Sequence, residues 1–411
     1  MRLLSGVVGC ALLQSVCVMA VPVSHNLSPR ATPLPPTEDP FYIPPTGLED
    51  SSPGTILRSR SLGELTLQGV VPYTSKAAYQ LMFRTTDSLG NASAAVTTII
   101  VPENANLSRV LSYQFAEDSA WANCAPSYVV QLGSIGEAIF LISALDQGWI
   151  VNLPDYEGLQ SAFTSGIQAG QATLDSVRAA LASEDLTTIS PTAEYQMWGY
   201  SGGSLASEWA AELQPTYAPE LNFKGVALGG LVPNITSVLF TINGGLSAGL
   251  IPAGILGLGN AYPELEAYID EHLFPANAST FKKALTQCLA DDVTTYAGQD
   301  LFSYFDEGEA TIMTSIPQSV LAATGQMGTH GTPQMPVYVY KAVGDEISPV
   351  ADTDALVTKL CAQGANIQYV RDWIGEHATE EITGYGGALG FLEDRFNGVP
   401  VTPGCTTANV L

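Results

Sequence analysis

The sequence predicts a mostly parallel α/β sheet with helices on both faces, interrupted once by an inserted helical region. Three observations carry that expectation. Strand-like apolar runs alternate with helix-compatible stretches, and one strand–turn–helix crossing holds Gly199-x-Ser201-x-Gly203. Between Asn234 and Met335 the alternation stops for about a hundred residues. Alternation of this kind belongs to sheets built from strand–helix–strand crossovers.

The chain opens on Met1-Arg2 and an apolar run, Leu3 to Leu13, continuing to Val18-Met19-Ala20. One positive charge, an apolar centre and a small residue at Ala20 make residues 1–20 a secretory signal peptide. The next most apolar stretch, Leu246–Leu258, has thirteen residues with four glycines or prolines, too few to span a bilayer. It reads as a buried or substrate-facing helix. Residues 21–53 carry Pro33, Pro35, Pro36, Pro40, Pro44 and Pro45. Such a stretch is expected to wrap the surface in extended form, with the folded body starting near Ile56.

From there the expected elements follow in order. Strands are read at Ala94–Val101 and Val110–Phe115, then a helix at Ala138–Gln147 leading into a strand at Gly148–Leu153. A helix over Ser165–Ser183 precedes the strand Tyr195–Trp198, the glycine-flanked turn and a helix over Ser204–Leu213. Gly225–Gly229 is a short buried strand. A parallel crossover needs only a dozen or so residues, so 235–335 is an insertion, with helices at Pro263–Leu273 and Ser279–Leu289. Placed beside a site at the sheet's edge, it would act as a cap over that site, the alternative being a packing appendage. The sheet resumes at Pro336–Lys341 and ends at Ala365–Val370. The organisation expected is therefore 54–234 as the first part of the core, 235–335 as the cap and 336–411 as the second part.

Composition restricts the partners. Forty acidic residues against fifteen basic give a net charge of −25, which disfavours nucleic acid. After removal of the signal, Cys124, Cys288, Cys361 and Cys405 remain, an even number in an oxidising compartment. Four cysteines allow three pairings. Their spacing fits no zinc pattern, and no metal is expected. Sequons at Asn26, Asn91, Asn106, Asn234 and Asn277 are glycosylation candidates.

The chemistry is concentrated at Gly199-Tyr200-Ser201-Gly202-Gly203. A serine in a tight turn between strand and helix is a nucleophile elbow, with Oγ projecting outward and the following N–H, on Gly202, facing a developing oxyanion. The bland alternative is a glycine-rich turn with an incidental serine. A base and an acid further along decide between them. Asp345 lies just past the C-terminal end of the strand Pro336–Lys341, on the edge where the elbow also sits. Glu346 is its neighbour, and Asp352 and Asp354 belong to the next helix, facing elsewhere. Of four histidines, only His377 falls in the loop after the last strand, whereas His25, His272 and His330 lie elsewhere. The order Ser201, Asp345, His377 is that of an α/β-hydrolase.

The chain also resembles the fungal secretory lipases of the Candida antarctica lipase A type. The likeness runs from about Pro40 to Cys405 and rests on several stretches. They are Tyr113–Ser119, Asn123–Tyr128, Pro154–Gly158, the elbow, Tyr217–Leu221, Asp345-Glu346-Ile347 and Glu376-His377. The resemblance implies an α/β-hydrolase with a helical cap that acts on carboxylic esters. It also places an oxyanion-hole residue at Asp118, which follows the strand Val110–Phe115, where the second donor is expected. The pairing chosen for the cysteines is Cys124–Cys288, fastening the cap to the loop beside the site, and Cys361–Cys405, holding down the C-terminal tail. The resemblance implies the same pairing. In that family the chain continues past this point into a flap, whereas here it stops six residues after Cys405, a departure from the resemblance that leaves activation through a flap open.

The mechanism expected is acyl transfer. His377 takes the proton of Ser201 as it attacks the ester carbonyl, and Asp345 orients the imidazole. Backbone N–H groups of Gly202 and Asp118 hold the oxyanion. No cofactor is required. The leading function is a secreted lipase or esterase, monomeric, acting on lipid or small acyl esters with transient contact at a lipid interface. An esterase deacylating a small secondary metabolite is the alternative, and a non-catalytic binding protein is a third reading.

Overall fold

The computed structural model describes residues 32–133 and 136–411. The chain divides into two units, Met1–Pro33 and Leu34–Leu411, and all elements named below belong to the second. The signal-peptide segment, His25 and Asn26 lie outside the described residues.

The strands run in chain order as β1 (Ile56–Gly63), β2 (Thr66–Leu67), β3 (Tyr73–Thr74) and β4 (Ala77–Thr86). Then come β5 (Ala92–Val101), β6 (Arg109–Gln114), β7 (Ile150–Pro154) and β8 (Glu194–Tyr200). The set closes with β9 (Val226–Gly229), β10 (Val337–Ala342), β11 (Ile367–Asp372) and β12 (Thr406–Val410). Ten of them form one sheet in the order β1-β4-β5-β7-β6-β8-β9-β10-β11-β12, while β2 and β3 make a separate hairpin. Pairing is antiparallel from β1 to β7. From β7 to β12 it is parallel throughout. The central strands are buried on both faces, β8 at all but its first residue and β10 throughout.

Successive side chains of a strand point to opposite faces. On β8, Met197 joins a core formed with the helices Gly166–Leu181 and Gly202–Tyr217, through Leu174, Val177, Leu205 and Trp209. Its neighbour Trp198 joins the core of the other face, with Phe140 of the helix Ala138–Asp146 and Leu392 of the helix Tyr385–Phe396. The two layers of helix predicted by the alternation are both present.

Several expectations are corrected. The proline-rich segment contains two 3-10 turns, Pro40–Tyr42 and Leu48–Asp50, and is not extended throughout. Asp39 caps the first turn by accepting from Phe41 N, and Arg60 binds Asp39 at 2.6 Å while lying 4.1 Å from the centre of the Phe41 ring. That anchor buries Phe41 and Tyr42, so the folded unit starts at Leu34, well before Ile56. The expected helix Ser279–Leu289 is broken. A helix ends at Phe281, a 3-10 turn follows, and Cys288 becomes the cap of a new helix, Leu289–Tyr296. Ile367–Asp372 is not the last strand, because β12 pairs with it on its outer side. Between β9 and β10 the chain forms the helices Ile235–Ile242, Leu250–Ala261, Pro263–His272, Pro275–Phe281, Leu289–Tyr296 and Ser315–Thr324. Disulfides join Cys124 to Cys288 and Cys361 to Cys405.

Candidate active site

Ser201 sits at the junction of β8 and the helix Gly202–Tyr217, with φ 50° and ψ −120°. A non-glycine residue at positive φ is strained, and such strain marks functional turns. The turn exists because its flanks have no side chains. A Cβ on Gly199 would collide with the Gly203 carbonyl, and one on Gly203 with the Gln114 carbonyl of β6. Ser201 N donates to Gly229 O at 2.9 Å, which pins the turn to the end of β9.

Three side chains brought from three strand ends meet here. His377 Nε2 lies 2.8 Å from Ser201 Oγ, and His377 Nδ1 lies 2.7 Å from Asp345 Oδ2. The other carboxyl oxygen of Asp345 accepts the N–H groups of Ile347 and Ser348 at 2.9 and 2.8 Å. Burial alone would raise the Asp345 carboxyl. The His377 hydrogen bond and charge, with the Lys341 ammonium, outweigh it and hold the group well below the usual carboxylate range. Glu346 faces the histidine's backbone, accepting His377 N at 2.8 Å. His377 is not in a loop, as expected from sequence, but is the first residue of the helix His377–Thr383. A capping box between Glu376 and Thr379 starts that helix, and Tyr200 OH donates to His377 O at 2.6 Å. Backbone and ring are therefore both fixed.

The segment after β6 forms the opposite wall. Asp118 is at φ 48°, and its Oδ1 lies against Gly202, where a Cβ would collide with it. That oxygen is buried without a hydrogen-bond partner. Burial, with the charge of Glu381, pushes the Asp118 carboxyl up to about 7. The Glu157 carboxyl is buried close by, and neither of its oxygens has a hydrogen-bond partner. Burial raises Glu157 well above the ordinary carboxylate value, and the charges of Glu117 and Asp118 add to it. Glu157 lines neither of the cavities that reach Ser201. Asp118 lines both cavities that reach Ser201, with its carboxyl against Gly202. Sequence reasoning missed Glu157 and Glu137. Burial pushes Glu137 up to about 8, and its carboxyl binds the Tyr113 hydroxyl and accepts Ala116 N. The stretches Tyr113–Ser119 and Pro154–Gly158 were the only signal for this cluster.

Two cavities open on Ser201. The larger, about 760 Å³, is lined by Phe115, Leu250, Leu289, Val293 and Ile347 with Glu117, Glu137 and Glu381 at its polar side. The smaller, about 40 Å³, is an apolar crevice between Phe163, Leu205, Val238, Leu239 and Ile242. Cys124 and Cys288 both line the larger cavity, so their disulfide ties the segment after Asp118 to the helices between β9 and β10. Elsewhere, His272 pairs with Asp306 and His330 stacks on Trp209, away from Ser201. Among the described residues, no group of three His, Cys, Asp or Glu side chains is placed to hold a metal. No described helix is long and apolar enough to cross a membrane. Of the sequons, Asn91 and Asn106 are exposed, Asn277 is half-buried, and Asn234 caps the helix Ile235–Ile242 by accepting Ser237 N at 3.2 Å.

A largely parallel sheet with a serine turn after β8, an acid after β10 and a histidine after β11 defines an α/β-hydrolase. The chain belongs to the secretory lipase family, whose model matches residues 127–404. It is 42% identical over 403 residues to Lipase A of Arthroderma benhamiae, covering 95% of this chain and 86% of that one. It is 38% identical over 381 residues to the trichothecene C-3 esterase of Fusarium sporotrichioides, covering 89% and 85%. The structure of Candida antarctica lipase A in its closed state superposes with a TM-score of 0.82 at 30% identity, covering 91% of this chain and 89% of that one. The protein is a carboxylic ester hydrolase.

Proposed function

We propose that the protein is a secreted lipase or esterase working through an acyl-enzyme on Ser201. The observation that carries this reading is the continuous hydrogen-bonded path from Ser201 Oγ through His377 to Asp345 at the mouth of an apolar cavity. His377 removes the Ser201 proton during attack on the ester carbonyl, and Asp345 stabilises the imidazolium that forms. The oxyanion is held by the N–H groups of Gly202 and Asp118, and the Asp118 carboxyl, pushed up to about 7 and lying against Gly202, adds a donor when protonated. Each such donor is worth roughly 10²–10³ in rate. His377 then hands its proton to the leaving alcohol, and water attacks the acyl-enzyme by the same route.

The helices of 235–335 act as a cap whose apolar side chains line both cavities, with the acyl chain directed into the larger one beside Leu250, Leu289 and Val293. Medium or long acyl chains are the favoured substrates. A second reading, deacylation of a small secondary metabolite, is favoured by the identity to a trichothecene esterase and by the crevice's small volume of about 40 Å³. Initial rates on p-nitrophenyl esters from acetate to palmitate separate the two. Activity confined to acetate would move the second reading to first place. Labelling by a fluorophosphonate probe tests both, since an enzyme of either kind must react at Ser201. Export through residues 1–20, sugar on Asn91 and Asn106, and a monomeric state complete the proposal; a cleaved N-terminus, loss of mass on deglycosylation and light scattering check them.

A further inference from the structure

Every side chain of β10 is buried, and one of them is charged: Lys341, with no exposed surface. An unpaired ammonium in such a place costs several kcal/mol, so its partners define its role. Lys341 Nζ lies 2.7 Å from Asp345 Oδ2 and donates to Leu231 O at 2.8 Å. Asp345 Oδ2 is the same oxygen that faces His377 Nδ1.

Neither partner depends on the lysine for a hydrogen bond. Leu231 O also accepts from Ser348 Oγ at 2.9 Å, and Asp345 has three other donors in Ile347 N, Ser348 N and His377 Nδ1. What Lys341 alone contributes is a full positive charge beside the acid. We propose that Lys341 is a positioning residue for the triad, fixing the Asp345 carboxylate toward His377 and offsetting part of the negative charge that the imidazole faces. The inference rests on the reading of Ser201, His377 and Asp345 given above.

The physical argument concerns which charge His377 feels. An unopposed carboxylate favours imidazolium in the resting enzyme, and an imidazolium cannot accept the serine proton. A cation on the same oxygen reverses part of that preference. The other titratable groups do not replace it. Glu346 and Asp352 face Lys341, Glu380 faces Asp345, and the Tyr200 ring lies 5.4 Å from the His377 ring. Across the cavity stand Asp118, Glu137 and Glu381. Burial pushes Glu380, Glu381 and Asp118 up to about 7, so these are neutral in the acid range where Lys341 acts.

The test compares kcat/KM against pH for the full chain and its Lys341→Gln and Lys341→Met variants on p-nitrophenyl butyrate. Glutamine keeps a donor for Asp345 without the charge; methionine removes both. The expected result is an acid limb moved up by about one pH unit in both variants, with activity largely retained near neutrality. Lower kcat with the acid limb unmoved would overturn the proposal and leave Lys341 a packing residue. If neither variant folds, the wild-type limb decides: a midpoint at or above about pH 6.5, the ordinary histidine value, overturns it, and one below supports it. Fluorophosphonate labelling of the wild type is read separately. Its absence sinks the triad reading itself, before Lys341 is at issue.

Discussion

Asp118 Oδ1 rests against Gly202 so closely that position 202 admits no side chain. The pair joins the segment after β6 to the first residue of the helix Gly202–Tyr217, and the proposed role of this carboxyl, raised to about 7, is to serve the oxyanion. Protonated, it donates; ionised, it repels. Activity should therefore fall as pH rises through about 7, because the folded enzyme loses the Asp118 proton there. Asp118→Asn keeps a donor and should remove that alkaline limb. Asp118→Ala should lower kcat by roughly 10²–10³. Rate profiles from pH 4 to pH 9 check both, and an alkaline limb retained in Asp118→Asn would contradict the assignment.

The triad makes a sharper demand. Ser201→Ala and His377→Ala should each reduce kcat by about 10⁴ or more, and the double variant should lose little further. Asp345→Asn should cost somewhat less, and Glu346→Gln far less, since Glu346 meets only the backbone of His377. Burst and steady-state kinetics on one activated ester measure all five. Near-normal rates in Asp345→Asn beside an inactive Glu346→Gln would reverse the choice of acid.

Stability should rise toward mildly acidic pH. Burial pushes Asp118, Asp155, Glu380 and Glu381 up to about 7 and Glu137 to about 8, and raises Glu117, Glu157 and Glu208 well above the ordinary value. A carboxyl whose folded pKa is raised binds its proton more tightly folded than unfolded. Its contribution is complete below the unfolded value of about 4 and is lost as pH climbs to the folded one. Asp345 runs the other way, with stability lost only at more strongly acid pH. The Tm should thus be higher at pH 5 than at pH 8, and calorimetry at matched ionic strength measures it.

Reduction should act on function before it acts on the fold. The bridges close loops of 164 and 44 residues, worth about 5 and about 4 kcal/mol in the chain-entropy model. Cys124→Ser with Cys288→Ser frees the segment after Asp118 from the helices over it, so kcat should fall while the near-ultraviolet signal of the buried tryptophans persists. Cys361→Ser with Cys405→Ser should instead release β12, lowering Tm with kcat near normal.

The larger cavity sets acyl preference. Val293→Phe fills space beside Leu250 and should shift the chain-length optimum toward shorter esters, with rates on acetate changed little. The p-nitrophenyl ester series reads this directly.

What was legible in the sequence follows from where each residue gets its surroundings. Ser201 could be found because its turn needs glycines at fixed local positions, and Asp345 because it closes an apolar strand. The Asp118 carboxyl could not be oriented, because Gly202, against which it packs, follows a different strand. β1 and β12 were missed or left as tail for another reason. β1 alternates arginine and serine, and every residue of β12 is exposed, so neither shows the apolar signal that marks the strands inside the sheet. The break at Cys288 was hidden because a disulfide, not local propensity, sets it.

The strand order has a consequence for the cell that makes the enzyme. Ser201 and His377 stand 176 residues apart along the chain. At ribosomal speed that interval lasts on the order of ten seconds or more. Throughout it the growing polypeptide carries Ser201 without His377, and for most of it without Asp345 as well. The hydrogen-bonded path that joins the three side chains can close only after β11 has been made.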